Sequence, residues 1–192
     1  MQISKANMNI DVFRQRFITG ARAYLFYMQP VFPNQAIPTS PGGGTFVPGA
    51  DLPTYLVRST TMPGSTFDEL TASWQGFDYK TAGKRTYDTW NVTFTVDVEA
   101  VIRNMFIGWQ DLILNPQTNI HGMPGNSGYM VDQTVSMIRL DFNNDLLTYK
   151  LYGAYPSSVG EIALDYADSA YATFDVTYTF QYFKTGMNGV IP

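Results

Sequence analysis

The chain of 192 residues has no cysteine, one histidine and few charges. Without cysteine it can form no disulfide framework, no thiolate metal site and no cysteine nucleophile. Charged residues make up 15% of the chain, whereas about 25% is usual. The 12 basic and 16 acidic residues give a net charge of −4. Because no basic cluster occurs, the composition argues against a protein that grips nucleic acid through its phosphates.

Long apolar runs are also missing. No stretch approaches the roughly 20 apolar residues of a membrane-spanning helix. The first residues, "MQISKANMNIDVFRQRF", lack the apolar centre of a signal peptide. We therefore expect no membrane partner and residence in a cytosol-like compartment.

Groups that could carry chemistry are scarce and scattered. His121 lies alone in a Gly/Pro-rich loop, and the neighbours Asp68 and Glu69 would point to opposite sides of a strand. Residues 42–44 are three glycines, but the Lys-Ser/Thr of a phosphate-binding loop does not follow them. We predict no catalytic residue, no metal site and no cofactor, and hence no enzyme.

Aromatic residues are abundant, with 13 Tyr, 13 Phe and 3 Trp. Many aromatics together with few charges indicate a protein that buries part of its exterior in an assembly, because large exposed apolar patches mark interaction sites.

Strict alternation of apolar and polar residues predicts β-strands. It is clearest at 171–183, "YATFDVTYTFQYF", where Phe174 and Tyr178 share one face and Thr177 lies on the other, and at 90–98, where Trp90 and Val98 share a face. Further strands are expected at 22–32, 54–62, 72–80, 134–142 and 146–153.

One amphipathic helix is predicted at about 98–114. Asp97 is a suitable N-cap, and Asn115-Pro116 ends the helix. The apolar stripe of this helix consists of Ile102, Met105, Phe106, Trp109 and Ile113. The predicted fold is mainly β with one flanking helix: two packed antiparallel sheets in a sandwich or barrel-like arrangement.

The whole chain, 1–192, is read as one domain. Residues 11–20 are expected to form a short helix or arm. Residues 33–53 hold five prolines and four glycines and are read as a long interaction loop. Residues 185–192 are read as a C-terminal extension.

Three segments, in order and at matching spacing, resemble the tail tube proteins of contractile-tailed bacteriophages. The motif residues are Gly83, Arg85, Tyr87, Asp88, Trp90, Val92 and Thr93, then Trp109 and Gln110, then Tyr155, Pro156, Val159, Gly160, Glu161, Ile162, Leu164 and Asp165. The resemblance covers about the last 140 residues of the chain. Relative to that family, the loop at 33–53 is long and residues 185–192 extend past the usual end.

The resemblance implies a structural virion protein whose hexameric rings stack into the inner tube of a contractile tail, the conduit for genome ejection. Its implied partners are other copies of itself, the tail sheath protein, the baseplate tube initiator and the tail terminator. The tape-measure protein and phage DNA would pass through the lumen without specific binding. The implied location is the virion, with assembly in the host cytoplasm.

The same resemblance suggests which strands line the lumen: 54–62, 72–80, 134–142 and 146–153. The candidate lumen-facing residues are Arg139, Asp141, Thr148 and Lys150. The strand at 171–183 would lie in the outer sheet, with its threonine face towards the exterior or a neighbouring subunit.

Simple structural roles are expected for the motif residues. Trp90 and Trp109 are expected in the core, and Pro156 and Gly160 in turns. Arg85 is expected to pair with a nearby carboxylate.

Two other functions remain open at this point. A tube-initiating baseplate protein would share the fold but form a single ring. A monomeric β-barrel that binds a small ligand or a glycan would use the polar strand face and exposed tyrosines as its pocket.

Overall fold

The computed structural model describes residues 20–33, 56–125, 128–140, 144–167, 169–187 and 190–191. The elements within these ranges are β1 (Phe26–Met28), β2 (Val57–Thr60), β3 (Ser65–Trp74), β4 (Phe77–Tyr87), β5 (Trp90–Thr95), α1 (Val101–Ile113), β6 (Val131–Ile138), β7 (Asp145–Val159), β8 (Thr173–Thr179) and β9 (Tyr182–Met187). The predicted mainly β fold with one helix is confirmed. The predicted arm at 11–20 and most of the loop at 33–53 lie outside the described residues.

Two antiparallel sheets share the long strand β7. The first sheet has the strand order β1-β6-β7-β9, and the second has the order β7-β8-β5-β2. Strand β7 serves both because it turns at Gly153, whose φ is 62°. Residues 147–152 pair with β9, and the part of β7 beyond the bend pairs with β8. A side chain at Gly153 would be strained at this φ, so glycine is the residue that allows the bend.

An aromatic core joins the two sheets and the helix. Trp90 of β5 stacks on Tyr178 of β8 with ring centroids 5.1 Å apart, and Phe94 stacks on Phe174 at 5.6 Å. Helix α1 buries Ile102, Met105, Phe106 and Trp109 against them, as its apolar stripe predicts. The alternation predicted for β5 and β8 is confirmed, since each of their buried residues lies two positions from the next.

Several predicted boundaries are wrong, and turn chemistry explains them. The strand predicted at 72–80 crosses a hairpin turn at 75–76. The strand predicted at 171–183 is two strands, because the chain turns a corner between β8 and β9. The strand expected at 22–32 has only three paired residues in β1. Val98, predicted on a buried face, is exposed because β5 ends at Thr95.

The start of α1 also differs from the prediction. The N-cap is Ala100, in a left-handed conformation with φ 51°, and its side chain makes no capping bond. Asp97 still stabilises this end, because its Oδ2 accepts a hydrogen bond from the Val101 N–H at 3.0 Å. The carboxylate therefore reaches the first turn from outside the helix. No helix among the described residues is long and apolar enough to cross a membrane.

Candidate assembly surface

Strands β3 and β4 form a hairpin that belongs to neither sheet. Its ladder runs from the Ser65–Tyr87 pair to the Trp74–Phe77 pair. The two turn residues have φ values of 47° and 85°, which suit a type I′ hairpin turn and explain the glycine at 76. All residues from 66 to 82 are exposed in the single chain. A two-stranded hairpin with no cover is marginally stable in water, so this element requires a partner.

The hairpin has two unlike faces. The apolar hairpin face consists of Leu70, Ala72, Trp74, Phe77, Tyr79 and Thr81, and the polar hairpin face consists of Glu69, Thr71, Ser73, Asp78, Lys80 and Ala82. On the polar face Lys80 Nζ lies 2.8 Å from Glu69 Oε1, and Ser73 Oγ donates to Asp78 Oδ1 at 2.6 Å. The polar groups thus have partners within the hairpin.

The apolar hairpin face has no such cover. Trp74 is 74% exposed and Phe77 is 81% exposed. Aromatic side chains of this size on one side of a ribbon form an apolar patch of the kind that marks a protein–protein contact. The geometry therefore favours solvent on the polar face and another protein surface on the apolar face.

The base of the hairpin is held by Arg85. Its guanidinium lies over the rings of Phe67, Tyr87 and Phe183, at 5.0 to 5.6 Å from their centroids. Two of its nitrogens donate to Ser65 Oγ at 2.9 and 3.0 Å. Because Phe183 belongs to β9, this stack fixes the hairpin against one edge of the first sheet.

The first sheet has a polar face opposite the core. The polar sheet face includes Asp132, Thr134, Lys150, Tyr152, Tyr182 and Lys184. Lys150 lies between Thr134 and Lys184 in the register, and its Nζ is 3.2 Å from Asp132 Oδ2 and 4.9 Å from the Tyr152 ring centroid. This surface is hydroxyl-rich, and the positive charge of Lys150 is paired.

The candidate lumen-facing residues that the structure describes do not all lie on one exposed surface. Lys150 lies on the polar sheet face, and Arg139 is exposed just past the end of β6. Thr148 lies on the same side as Lys150 but is only 4% exposed, and it is 3.1 Å from Ser136 Oγ. Thr148 is therefore not an exposed lining residue in this chain. Asp141 lies outside the described residues.

Strand β2 differs from the predicted grouping. Residues 54–62 were placed with the strands that line the lumen, but β2 pairs with β5 at the edge of the second sheet. The hairpin, β6 and β7 remain as strands that offer a polar face.

The motif residues are mostly structural. Trp90 and Trp109 are fully buried, as predicted. The indole N–H of Trp90 donates to the Thr61 carbonyl, and that of Trp109 donates to the Tyr129 carbonyl, both at 2.7 Å. Glu161 and Asp165 are exposed in the segment after β7, where Asp165 Oδ1 accepts the Ala167 N–H.

At three motif residues the structure differs from what the sequence led us to expect. Pro156 lies inside β7 rather than in a turn, beside a register shift where its missing N–H is tolerated. Gly160 follows β7, donates to the Asp175 carbonyl at 2.7 Å and accepts a hydrogen bond from the Arg103 guanidinium. Among the described residues, Arg85 pairs with aromatic rings and a serine rather than with a carboxylate.

Reactive groups do not converge in the part of the chain that the structure describes. There, no three His, Asp or Glu side chains are placed to hold a metal ion. His121 is an exposed loop residue that forms an isolated bridge with Leu114. Burial raises the pKa of the Tyr178 phenol well above its ordinary value, but this side chain lies in the core and faces no cleft.

The apolar hairpin face was missed by the sequence analysis. The signal was present: Leu70, Ala72 and Trp74 alternate with polar residues, and Gln75-Gly76 is a suitable two-residue turn. The prediction of a single strand across 72–80 left no place for this turn, so the apolar hairpin face was not recognised.

A family model for the phage tail tube protein matches residues 39–186. The chain belongs to this family. The predicted resemblance is thereby confirmed, and the chain is a tail tube protein and a virion component.

Two relatives are similar over most of their length. The tail tube protein gp19 of Enterobacteria phage T4 is 26% identical over 136 residues, which cover 68% of this chain and 80% of that protein. The tail tube protein gp19 of Enterobacteria phage T6 is also 26% identical, over 133 residues with the same coverage.

Solved structures show the same fold. The tube complex with sheath of the extracellular contractile injection system PVC, in its extended state, matches with a TM-score of 0.60 at 13% identity, covering 97% of this chain and 99% of that chain. The six-fold symmetrised baseplate of the anti-feeding prophage matches with a TM-score of 0.62 at 11% identity, covering 90% and 99%. The fold of this tail tube protein is thus also found in other contractile systems.

Proposed function

We propose that this tail tube protein forms hexameric rings that stack into the inner tube of a contractile phage tail, the conduit for genome ejection. The whole chain, 1–192, serves as one tube subunit. The observation that carries the proposal is the exposed, two-faced hairpin β3–β4. The hairpin is stable only if another surface covers its apolar face. In a ring, each subunit has a neighbouring copy that can cover this face.

Ring closure also accounts for the sheet edges. Exposed edge strands invite aggregation unless they are protected or paired. In a closed ring, each copy has a neighbour on either side that can pair or cover such edges. Ring closure explains how a chain with few charges and many aromatics avoids non-specific association through its exposed edges.

The polar faces supply a suitable lumen. The polar hairpin face and the polar sheet face together hold three acidic residues and three lysines: Glu69, Asp78, Asp132, Lys80, Lys150 and Lys184. Lys80 and Lys150 are engaged in ion pairs. A wall of balanced charge does not retain the DNA backbone, because phosphate binding depends on available cations. We place Lys150 on this wall, Arg139 at its margin just past the end of β6, and the threonine face of β8 towards the outside.

The remaining roles follow from this position in the tail. The chain acts without catalysis or cofactor. Its outer surface meets a sheath protein, and the two ends of the tube meet the baseplate initiator and the terminator. The tape-measure protein and DNA pass through the lumen without specific binding.

Negative-stain electron microscopy of the purified protein over a concentration series tests the proposal. We expect hollow filaments of uniform width or stacked six-fold rings. Isolated rings that never stack would favour a tube initiator. Dispersed monomers at every concentration, even with a preformed tube as seed, would contradict the proposal and favour a monomeric ligand-binding barrel.

A further inference from the structure

The polar sheet face is buried along one row of residues and open along the next. The buried row crosses the four strands of the first sheet through Tyr27, Ser136, Thr148 and Gly186. Ser136 is 3% exposed, Thr148 is 4% exposed and Gly186 is buried, whereas Tyr27 at the far end is 46% exposed. The next row, Thr134, Lys150 and Lys184, is exposed or half-buried. A cover therefore lies on this face at the level of the buried row.

The cover at Gly186 is the chain itself. After β9 the chain turns back, and the Val190 N–H donates to the Met187 carbonyl at 3.1 Å. A Cβ added at Gly186 would collide with the Val190 carbonyl oxygen and lie 2.9 Å from Ile191 Cα. The φ of Gly186 lies outside the left-handed region, so glycine provides space here rather than a special backbone conformation. Because Gly186 and Thr148 are register partners, the space is on the polar sheet face.

The hydroxyls of the buried row have partners beneath this cover. The oxygens Ser136 Oγ and Thr148 Oγ1 lie 3.1 Å apart, and Thr148 Oγ1 donates to Asp145 Oδ2 at 3.1 Å. Buried polar groups that are hydrogen-bonded to each other do not oppose an apolar cover. The side chains that the returning chain supplies among the described residues are apolar: Met187, Val190 and Ile191.

We propose that residues 187–191, the strap, rest on the polar sheet face of their own subunit and narrow the lumen of the assembled tube. Residues 188 and 189 lie outside the described residues. The narrowing rests on the proposed function, which places the polar sheet face on the lumen wall. The family model matches residues 39–186, so the strap lies beyond the matched part of the chain.

The strap changes the chemistry of the lumen wall at one level. Met187 is 73% exposed and Val190 is 71% exposed. Their side chains carry no charge, so they offer no partner to the phosphates of DNA. Each subunit contributes one strap, and the tube is therefore narrowed by an uncharged rim that does not retain DNA.

Thiol labelling in the single chain tests whether the strap covers the buried row. The chain has no cysteine, so Thr148→Cys supplies one thiol, which reacts with a small maleimide below the concentration for assembly. We expect slow labelling in the full chain. Labelling should be about tenfold faster in a chain that ends at Met187 and in the Gly186→Ala background, because both remove the strap from the row.

Matched controls separate strap removal from general loosening. Thr134→Cys, in the open row of the same face, should react fast in every background. Gly64→Ala, where an added Cβ meets nothing within 4 Å, should leave Thr148→Cys protected. Circular dichroism should show that all variants are folded. If Gly186→Ala does not fold, the chain that ends at Met187 carries the test, because it keeps every residue of β9.

A second measurement locates the strap in assembled tubes. Val190→Cys should react with a small maleimide but not with a maleimide attached to a globular protein too large to enter the lumen. Asp175→Cys, on the threonine face of β8, should react with both reagents. Cryo-electron microscopy of tubes made from the chain that ends at Met187 should show a wider bore at one level of each ring.

The outcomes distinguish the strap from the ring. If Thr148→Cys stays protected in the shortened chain, the strap is overturned and the ring proposal stands. If Val190→Cys in intact tubes reacts with the large reagent, or with neither reagent, its position in the lumen is overturned and the ring proposal stands. If no tubes form, even on a preformed seed, the ring and the narrowing fail together, while the labelling of Thr148→Cys still decides whether the strap covers the sheet.

Discussion

At the scale of single residues, two buried side-chain oxygens of the described residues lack a hydrogen-bond partner: Asp97 Oδ1 near the start of α1 and the Tyr178 hydroxyl in the core. Tyr178 is fully buried among Trp90, Phe106 and Trp109, and within the described structure its hydroxyl has no hydrogen bond. A buried hydroxyl without a partner costs about 1 to 3 kcal/mol. The ring contributes packing, while the hydroxyl opposes folding.

Replacement of Tyr178 by Phe should raise the free energy of unfolding by about 1 kcal/mol. Urea unfolding at neutral pH, below the concentration for assembly, measures this. Tyr171→Phe is the matched control, because that side chain is exposed and should leave stability unchanged. A loss of stability in Tyr178→Phe would show that the hydroxyl has a partner in solution.

Stability should also fall in alkali because of Tyr178. Burial raises the pKa of this phenol above its ordinary value near 10. Below about pH 10 the phenol is protonated in both states and contributes no pH dependence. Above that pH the unfolded chain loses the proton while the folded chain keeps it, so unfolding becomes easier. The unaltered chain should therefore lose more stability than Tyr178→Phe between about pH 9 and 11, measured by urea titration.

At the scale of elements, two features determine the shape of the subunit: the bend in β7 and the base of the hairpin. The bend depends on backbone conformation at one glycine. The base of the hairpin depends on one guanidinium stacked between rings. Each feature sets the direction in which a strand leaves the sandwich.

Gly153→Ala should destabilise the chain by roughly 1 to 2 kcal/mol, the cost of a side chain at left-handed φ. The added Cβ would also lie 3.1 Å from Gln181 Cγ. Thermal unfolding measures the loss. Gly64→Ala is the control, since nothing lies within 4 Å of its added Cβ, and it should be close to neutral. Equal effects at the two sites would contradict a special role for the bend.

Arg85→Lys should loosen the hairpin without unfolding the subunit. Lysine keeps the charge but loses the planar group that stacks on three rings. Hydrogen exchange across residues 65–87 should be roughly fivefold faster, as expected for a loss of about 1 kcal/mol. The melting temperature should hardly change. Lys84→Gln, the neighbouring position, should leave exchange as it is.

At the scale of the whole molecule, the described surface is divided by chemistry. The apolar hairpin face is exposed in the single chain, whereas the charges on the polar hairpin face and the polar sheet face are balanced. In the proposed tube, copies would meet through the first kind of surface, and DNA would pass along the second.

Removing two of the acidic partners should make the tube retain DNA. The double variant Glu69→Gln with Asp132→Asn leaves Lys80 and Lys150 without their ion pairs. Binding of duplex oligonucleotides to open-ended tubes should rise and should weaken steeply with added salt. The control Glu99→Gln with Asp111→Asn makes the same change in net charge at other exposed positions. Equal DNA binding by both doubles would place the lysines outside the lumen.

Local pattern predicted much of the fold. Period-two alternation identified β5 and β8, and the apolar stripe identified α1, because burial of one face is imposed residue by residue along an element. The strand bounds around 72–80 were wrong, since the apolar positions change phase at Gln75-Gly76, from Ala72 and Trp74 to Phe77 and Tyr79, and this change marks a turn. Thr148 was expected on a surface, but Ser136 and the neighbouring strands bury it.

The sequence by itself determined the fold class, the aromatic core and the family, because these depend on side-chain types and their spacing. Only the tertiary structure decided that β7 belongs to two sheets and that β2 joins the second. Only the tertiary structure showed that β3 and β4 leave the sandwich with one apolar face exposed. Those features depend on which distant segments meet, on the φ of Gly153 and on the stack around Arg85. Contacts between residues far apart in the chain leave no periodic pattern in the local sequence, so they cannot be predicted from it.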